Sequence, residues 1–76
     1  MDYKEWLLQE FGTELSVDPS NVNADEPFEN MHIDSLSMVS ISYNLETAFN
    51  LENIDPAIFS EYNTINKLTE WLNRNK

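Results

Sequence analysis

Few residues in this chain have side chains that could do chemistry, and the most suggestive of them stand together. Ser35 offers a hydroxyl between Asp34 and Leu36, with His32 a little upstream in the run Met31-His32-Ile33-Asp34-Ser35-Leu36. A serine near a histidine invites a nucleophile-and-base reading. The spacing is poor for it, no Gly-x-Ser-x-Gly elbow exists, and no oxyanion site is apparent. His32 is expected to fill space or contact a partner. The chain has no cysteine, which removes disulfides, Cys-based zinc sites and thiol nucleophiles, and a single histidine excludes a His-rich metal site. Asp18, Asp25, Glu26 and Glu29 make an acidic segment without the Asp-x-Asp-x-Asp-Gly spacing of a calcium loop, so a solvated acidic surface is expected and no metal site.

The bounds on the whole chain agree with that scarcity. Its 76 residues make one small domain, residues 1–76, too small to hold both a core and a deep enclosed catalytic cleft. Fourteen acids against four bases give a formal charge of −10, which repels nucleic-acid phosphates and anionic membranes, so partners are expected to present basic surfaces. Hydrophobic residues at 41%, nine of them aromatic, are enough to form a packed core despite the charge. No signal peptide and no bilayer-length apolar run is visible, so a soluble, cytoplasmic monomer is expected. Met1 immediately before the first helix suggests a complete free-standing protein rather than a domain excised from a synthase.

Helical periodicity supplies the elements that must position Ser35. Tyr3, Leu7, Phe11 and Leu15, with Leu8 beside them, predict a helix from about Asp2 to Leu15, capped by Asp2 and weakened by Gly12 at about 1 kcal/mol relative to Ala. A long loop follows from Ser16 to Ile33, with a turn at Asp18-Pro19-Ser20-Asn21 and with Val22, Phe28, Met31 and Ile33 as pegs onto the bundle. Loops of that length are uncommon in compact domains unless they carry function. Asp34 is the expected N-cap of a second helix reaching Phe49 or Asn50. On it Met38, Ile41, Leu45, Ala48 and Phe49 form a core face, while Leu36, Val39 and Tyr43 form a second apolar stripe that a surface helix does not ordinarily need. Asp55-Pro56 starts a short helix to about Ser60. Asn63 or Thr64 caps the last helix, with Ile65, Leu68 and Leu72 inward, Trp71 flanking, and Arg74 and Lys76 complementing its dipole. Trp6 and Trp71 read as packing residues at the bundle's edge.

Asp34-Ser35-Leu36 alone matches by chance often. Its frame is more specific: Leu15-Ser16-Val17-Asp18-Pro19-Ser20-Asn21-Val22, then Asp25, Phe28, Met31 and Asp34-Ser35-Leu36, then Leu45-Glu46, Phe49, Ile54, Phe59, Asn63-Thr64-Ile65 and Leu72. From about Tyr3 to Leu72 this order and spacing resembles the acyl carrier protein family. The resemblance implies an all-α, acyl-carrier-like four-helix bundle of three main helices and one short one, with a long loop between the first and second. It implies that a phosphopantetheinyl transferase modifies Ser35, with Asp34 and Leu36 part of what that enzyme reads. The covalent 4′-phosphopantetheine supplies the thiol that the sequence lacks. A serine in the first turn of a helix faces the positive end of the dipole, where a phosphodiester is favoured.

The same resemblance gives the second stripe a use. Leu36, Val39 and Tyr43, with Asp34 and Glu46 at the margins, become the surface on which acyl-loading, synthase or tailoring enzymes dock; the other reading of the three is ordinary core packing against the long loop. Leu45, Ile54 and Phe59 are the candidate lining of an acyl pocket between the second and third helices. Two departures bear on the pathway. His32 stands where such carriers usually have glycine, and Ser37, Ser40 and Thr47 stand where fatty-acid-synthase carriers have acids. Met31-His32-Ile33-Asp34 also lacks the Gly-Gly of peptidyl carriers. The expected function is a non-catalytic acyl carrier in polyketide, hybrid polyketide–peptide or other specialised biosynthesis. The alternatives are a general fatty-acid-synthesis carrier and an unmodified acidic helical adaptor.

Overall fold

The computed structural model describes residues 2–75, apart from the side chain of Asn75, and Lys76, with its expected dipole role, lies outside them. Helices α1 (Tyr3–Leu15), α2 (Ser35–Phe49), α3 (Ile58–Glu61) and α4 (Ile65–Asn75) follow in chain order, with short 3-10 turns at Pro19–Asn21 and Phe28–Met31. Among the described residues there is no strand.

The starts of α1, α2 and α4 are each fixed by a side chain, and α3 has no side-chain cap. Asp2 Oδ1 accepts the Glu5 N–H at 2.7 Å, Asp34 Oδ1 accepts the Ser37 N–H at 2.8 Å, and Thr64 Oγ1 accepts the Lys67 N–H at 3.0 Å. Each bond satisfies one of the donors that a first helical turn leaves without an intrahelical partner. Thr64 rather than Asn63 is therefore the cap of α4. The short helix begins later than the Asp55-Pro56 pair suggests. Asp55 Oδ1 accepts the Ala57 N–H at 2.9 Å, a turn that places Pro56 ahead of the helix instead of inside it.

α1 packs against both α4 and α2. The fully buried core is Leu7 and Phe11 from α1, Ile41 and Leu45 from α2, and Ile65, Leu68 and Leu72 from α4. Ala48, expected on the core face of α2, is exposed. At 3.6 residues per turn it lies about 90° from the line through Met38, Ser42, Leu45 and Phe49, and about 20° beyond the fully buried Ile41. Ser42, not anticipated as a core residue, is buried on that line. Phe49 closes the end of the core against Tyr3, ring centroids 4.6 Å apart, and against Trp6 edge-on at 5.8 Å. Trp71 stands half-buried beside Tyr62, with ring centroids 6.0 Å apart.

The long loop is held at three places. At its start, Ser16 turns left-handed at φ 59°, and Gly12 lies so close to the outgoing chain that a Cβ would meet the Val17 carbonyl oxygen at 2.9 Å. In the middle, the Ala24 carbonyl accepts the Asn66 N–H at 3.0 Å, and Asp25 Oδ1 accepts from the Asn66 side-chain amide at 2.6 Å. Near its end the Phe28 N–H donates to the Asn63 carbonyl at 2.8 Å. Phe28 is buried, its ring stacked on Phe11 with centroids 4.9 Å apart, and Met31 is buried beside it. Val22 and Ile33 are half-buried against the same core. The loop thus delivers the chain to Asp34 in a fixed direction.

Candidate functional site

Ser35 is the first residue of α2 and is exposed. Three local choices put it there. His32 ends the second 3-10 turn in the left-handed region at φ 59°, ψ 35°, which turns the chain sharply after Met31 is buried. Ile33 packs back on the core, half-buried. Asp34 then takes an extended conformation, φ −79° and ψ 170°, and caps the helix that Ser35 opens. The Ser37 backbone N–H, followed by its hydroxyl, holds the Asp34 carboxyl below its ordinary pKa, so it stays ionised at neutral pH.

Beside Ser35 runs a groove of about 490 Å³ between α2 and the segment carrying α3. Its apolar lining is Phe28, Ile33, Met38, Val39 and Phe59, and its polar lining includes Ser35, Glu29, Ser60 and Asn63. Glu29 and Asn63 are tied together, the Asn63 amide donating to Glu29 Oε1 at 3.2 Å. Of the three residues expected to line an acyl pocket, the structure brings only Phe59 to this groove. Leu45 is wholly buried in the core. Ile54 lines a separate hollow of about 370 Å³ with Leu51, Trp71 and Leu72. Ile33, Met38 and Phe28 were not expected as lining. Periodicity identifies them as apolar, but only the course of the loop shows which of them borders a groove.

The second stripe of α2 faces solvent. Leu36 is 79%, Val39 52% and Tyr43 67% exposed, values that rule out a core role for all three. Glu46, placed by the sequence at the margin of this stripe, is half-buried. Its carboxylate accepts the Ile54 N–H at 2.6 Å and so pins the chain that leaves α2.

The site has the features that a serine-linked phosphodiester needs: an exposed hydroxyl at the start of a fifteen-residue helix, and an open groove beside it with both apolar and polar lining. Known proteins are similar along nearly the whole chain. The family model described as the phosphopantetheine attachment site matches residues 5–72. The chain therefore belongs to the phosphopantetheine-attachment family, the carrier proteins that bear 4′-phosphopantetheine on a serine. It is 34% identical over 68 residues to the polyketide synthase PksL of Bacillus subtilis (strain 168), covering 90% of this chain but only 2% of that protein's length. It is also 34% identical over 76 residues to the D-alanyl carrier protein of Leuconostoc mesenteroides subsp. mesenteroides, covering all of this chain and 87% of that protein. Among solved structures, a free-standing peptidyl carrier protein from an Acinetobacter baumannii secondary metabolic pathway superposes with a TM-score of 0.87 at 29% identity, covering 95% of this chain and 89% of that one. The all-helical acyl-carrier-like fold expected from the sequence is the fold observed. Among the described residues, no helix is long and apolar enough to cross a membrane, and no three His, Asp or Glu side chains group where they could hold a metal ion.

Proposed function

We propose that Ser35 is the attachment residue, modified by a phosphopantetheinyl transferase that reads Asp34 and Leu36. The arm's terminal thiol carries acyl groups as thioesters, and the chain presents them to partner enzymes in the cytoplasm without a catalytic step of its own. The observation that carries this reading is the exposed Ser35 hydroxyl at the head of α2, opening onto the groove, within the matched residues 5–72. The absence of cysteine and the single histidine, itself exposed, support a carrier rather than an enzyme. Specialised biosynthesis, of the polyketide or mixed polyketide–peptide kind, is the pathway class that the PksL and secondary-metabolism neighbours support.

The test is intact mass after incubation with a broad-specificity phosphopantetheinyl transferase and coenzyme A. One added arm is expected, and Ser35→Ala should abolish it. An unmodified adaptor would gain nothing, and an arm that persists in Ser35→Ala would overturn the assignment of the residue.

The full-length match to a D-alanyl carrier protein favours a second reading of the cargo, an aminoacyl group in place of a ketide. Loading assays on the modified protein separate the two. Acceptance of D-alanine from an adenylating ligase, with refusal of malonyl groups from an acyltransferase, would favour the aminoacyl cargo.

A further inference from the structure

The hollow of about 370 Å³ has no part in what happens at Ser35. It lies past the far end of α2, which runs about 21 Å from Ser35 to Phe49 at 1.5 Å per residue. Leu51, Ile54 and Trp71 give it apolar walls, and Asn50, Glu52 and Asn53 supply its polar lining. Leu51 and Trp71 are only half-buried, so apolar surface meets solvent here. The three polar residues are exposed, and among the described residues no hydrogen bond or ion pair engages their side chains. Asp2, Asp18, Asp34 and Asp55, by contrast, each hold a backbone N–H. Glu52 has no such structural task. No basic residue lines the hollow, and Arg74, one turn beyond Trp71 on α4, lies outside its lining. Glu46 adds a second negative charge at the wall, because its carboxylate accepts the Ile54 N–H at 2.6 Å and stays charged in doing so.

We infer that this hollow anchors a partner protein through an exposed arginine that follows an apolar residue. Charge complementarity carries the argument: an open, apolar-walled hollow with carboxylates and no base favours a cation with an apolar stem. The guanidinium meets Glu52 through two parallel N–H bonds, and the Asn50 and Asn53 side-chain carbonyls accept from its remaining N–H groups. Lysine fits less well, as a strongly hydrated point charge without that fork. The neighbouring apolar side chain covers Leu51 and is itself removed from water. Because the hollow is a helix length from Ser35, a partner seated there leaves the arm free, a consequence that rests on the carrier reading. Such an anchor keeps the chain at raised effective concentration beside an assembly while the arm visits one enzyme after another.

Acetyl-Leu-Arg-amide is the probe, titrated into the isotope-labelled chain before and after the arm is attached and followed by NMR. The amide signals of Leu51 and Ile54 and the Trp71 indole N–H should shift in both forms, with Ser35 and Leu36 unmoved. Citrulline in place of arginine, which keeps the shape and removes the charge, should weaken Kd by about tenfold, as should Glu52→Gln. Alanine in place of the leucine should weaken it severalfold. Glu14→Gln, which removes the same charge from the last turn of α1, should leave Kd unchanged, and saturating peptide should not slow arm transfer to Ser35. No shift at the hollow, shifts gathered at the start of α2, equal binding of the citrulline peptide, an equal loss in Glu14→Gln, or slowed arm transfer would overturn the inference. Circular dichroism confirms that both variants are folded. The titration needs no arm, so a chain that accepted none would leave its result standing, and a failed titration would leave the arm's mass on Ser35 unaffected.

Discussion

His32 holds a backbone position that favours glycine. Its φ of 59° is in the left-handed region, where a β-carbon crowds the following carbonyl at a cost of roughly 1–2 kcal/mol, although histidine tolerates it better than most residues. The sequence shows a histidine where carriers usually have glycine, and the structure supplies the reason: the chain must reverse between the buried Met31 and the Asp34 cap. His32→Gly should raise stability by about 0.5–1 kcal/mol, the relief of strain exceeding glycine's extra freedom in the unfolded chain. His32→Val should lower it by more than about 1 kcal/mol, because β-branching is least tolerated at positive φ. Urea denaturation measures both. If His32→Gly proves less stable than the unchanged chain, His32 makes a stabilising contact that outweighs its backbone.

At the scale of elements, Gly12 reverses its sequence-level meaning. By propensity it weakens α1, and replacing it with alanine should help by about 1 kcal/mol. In the fold it is buried where a Cβ would meet the Val17 carbonyl at 2.9 Å and the Pro19 nitrogen at 3.3 Å, backbone atoms that cannot rotate away. Gly12→Ala should therefore destabilise by about 1–3 kcal/mol, as overpacking does, and thermal melts would show it as a lower Tm. A higher Tm would mean that the loop start yields easily.

The same contrast marks what the sequence could disclose. Helices of eleven or more residues show themselves by repeat and cap, so α1, α2 and α4 fall where the spacing puts them. The 3-10 turns at Pro19–Asn21 and Phe28–Met31 are too short to show a period. Ser35 was legible as exposed from its place in the first turn of α2, whereas Leu36, Val39 and Tyr43 were legible only as a second stripe that a one-sided helix does not need, and the structure decides that they are exposed rather than core. The engagement of Glu46 with Ile54 and the true lining of the groove depend on how the segment after α2 folds back, which no local pattern encodes.

For the molecule as a whole, the acids lie mainly on α1, the loops, α3 and α4, spread over a body with extents of 28 × 24 × 19 Å. Like charges confined to that volume repel one another and oppose folding. Raising NaCl from about 0.05 to about 0.5 M should screen this repulsion and raise Tm by a few degrees, where about 1 kcal/mol corresponds to roughly 4–8 °C in a small domain. A fall in Tm would show attractive pairs outweighing the repulsion.

The bond from Glu46 to the Ile54 N–H also sets how the groove beside Ser35 could change width. It fixes one end of the connection from α2, and the bonds of Asn63 to Phe28 and Glu29 fix the other, so a change of width falls to residues 55–62 between them, where Pro56, Phe59 and Ser60 line the space. Widening then becomes a bowing of a wall held at both ends rather than a parting of two walls.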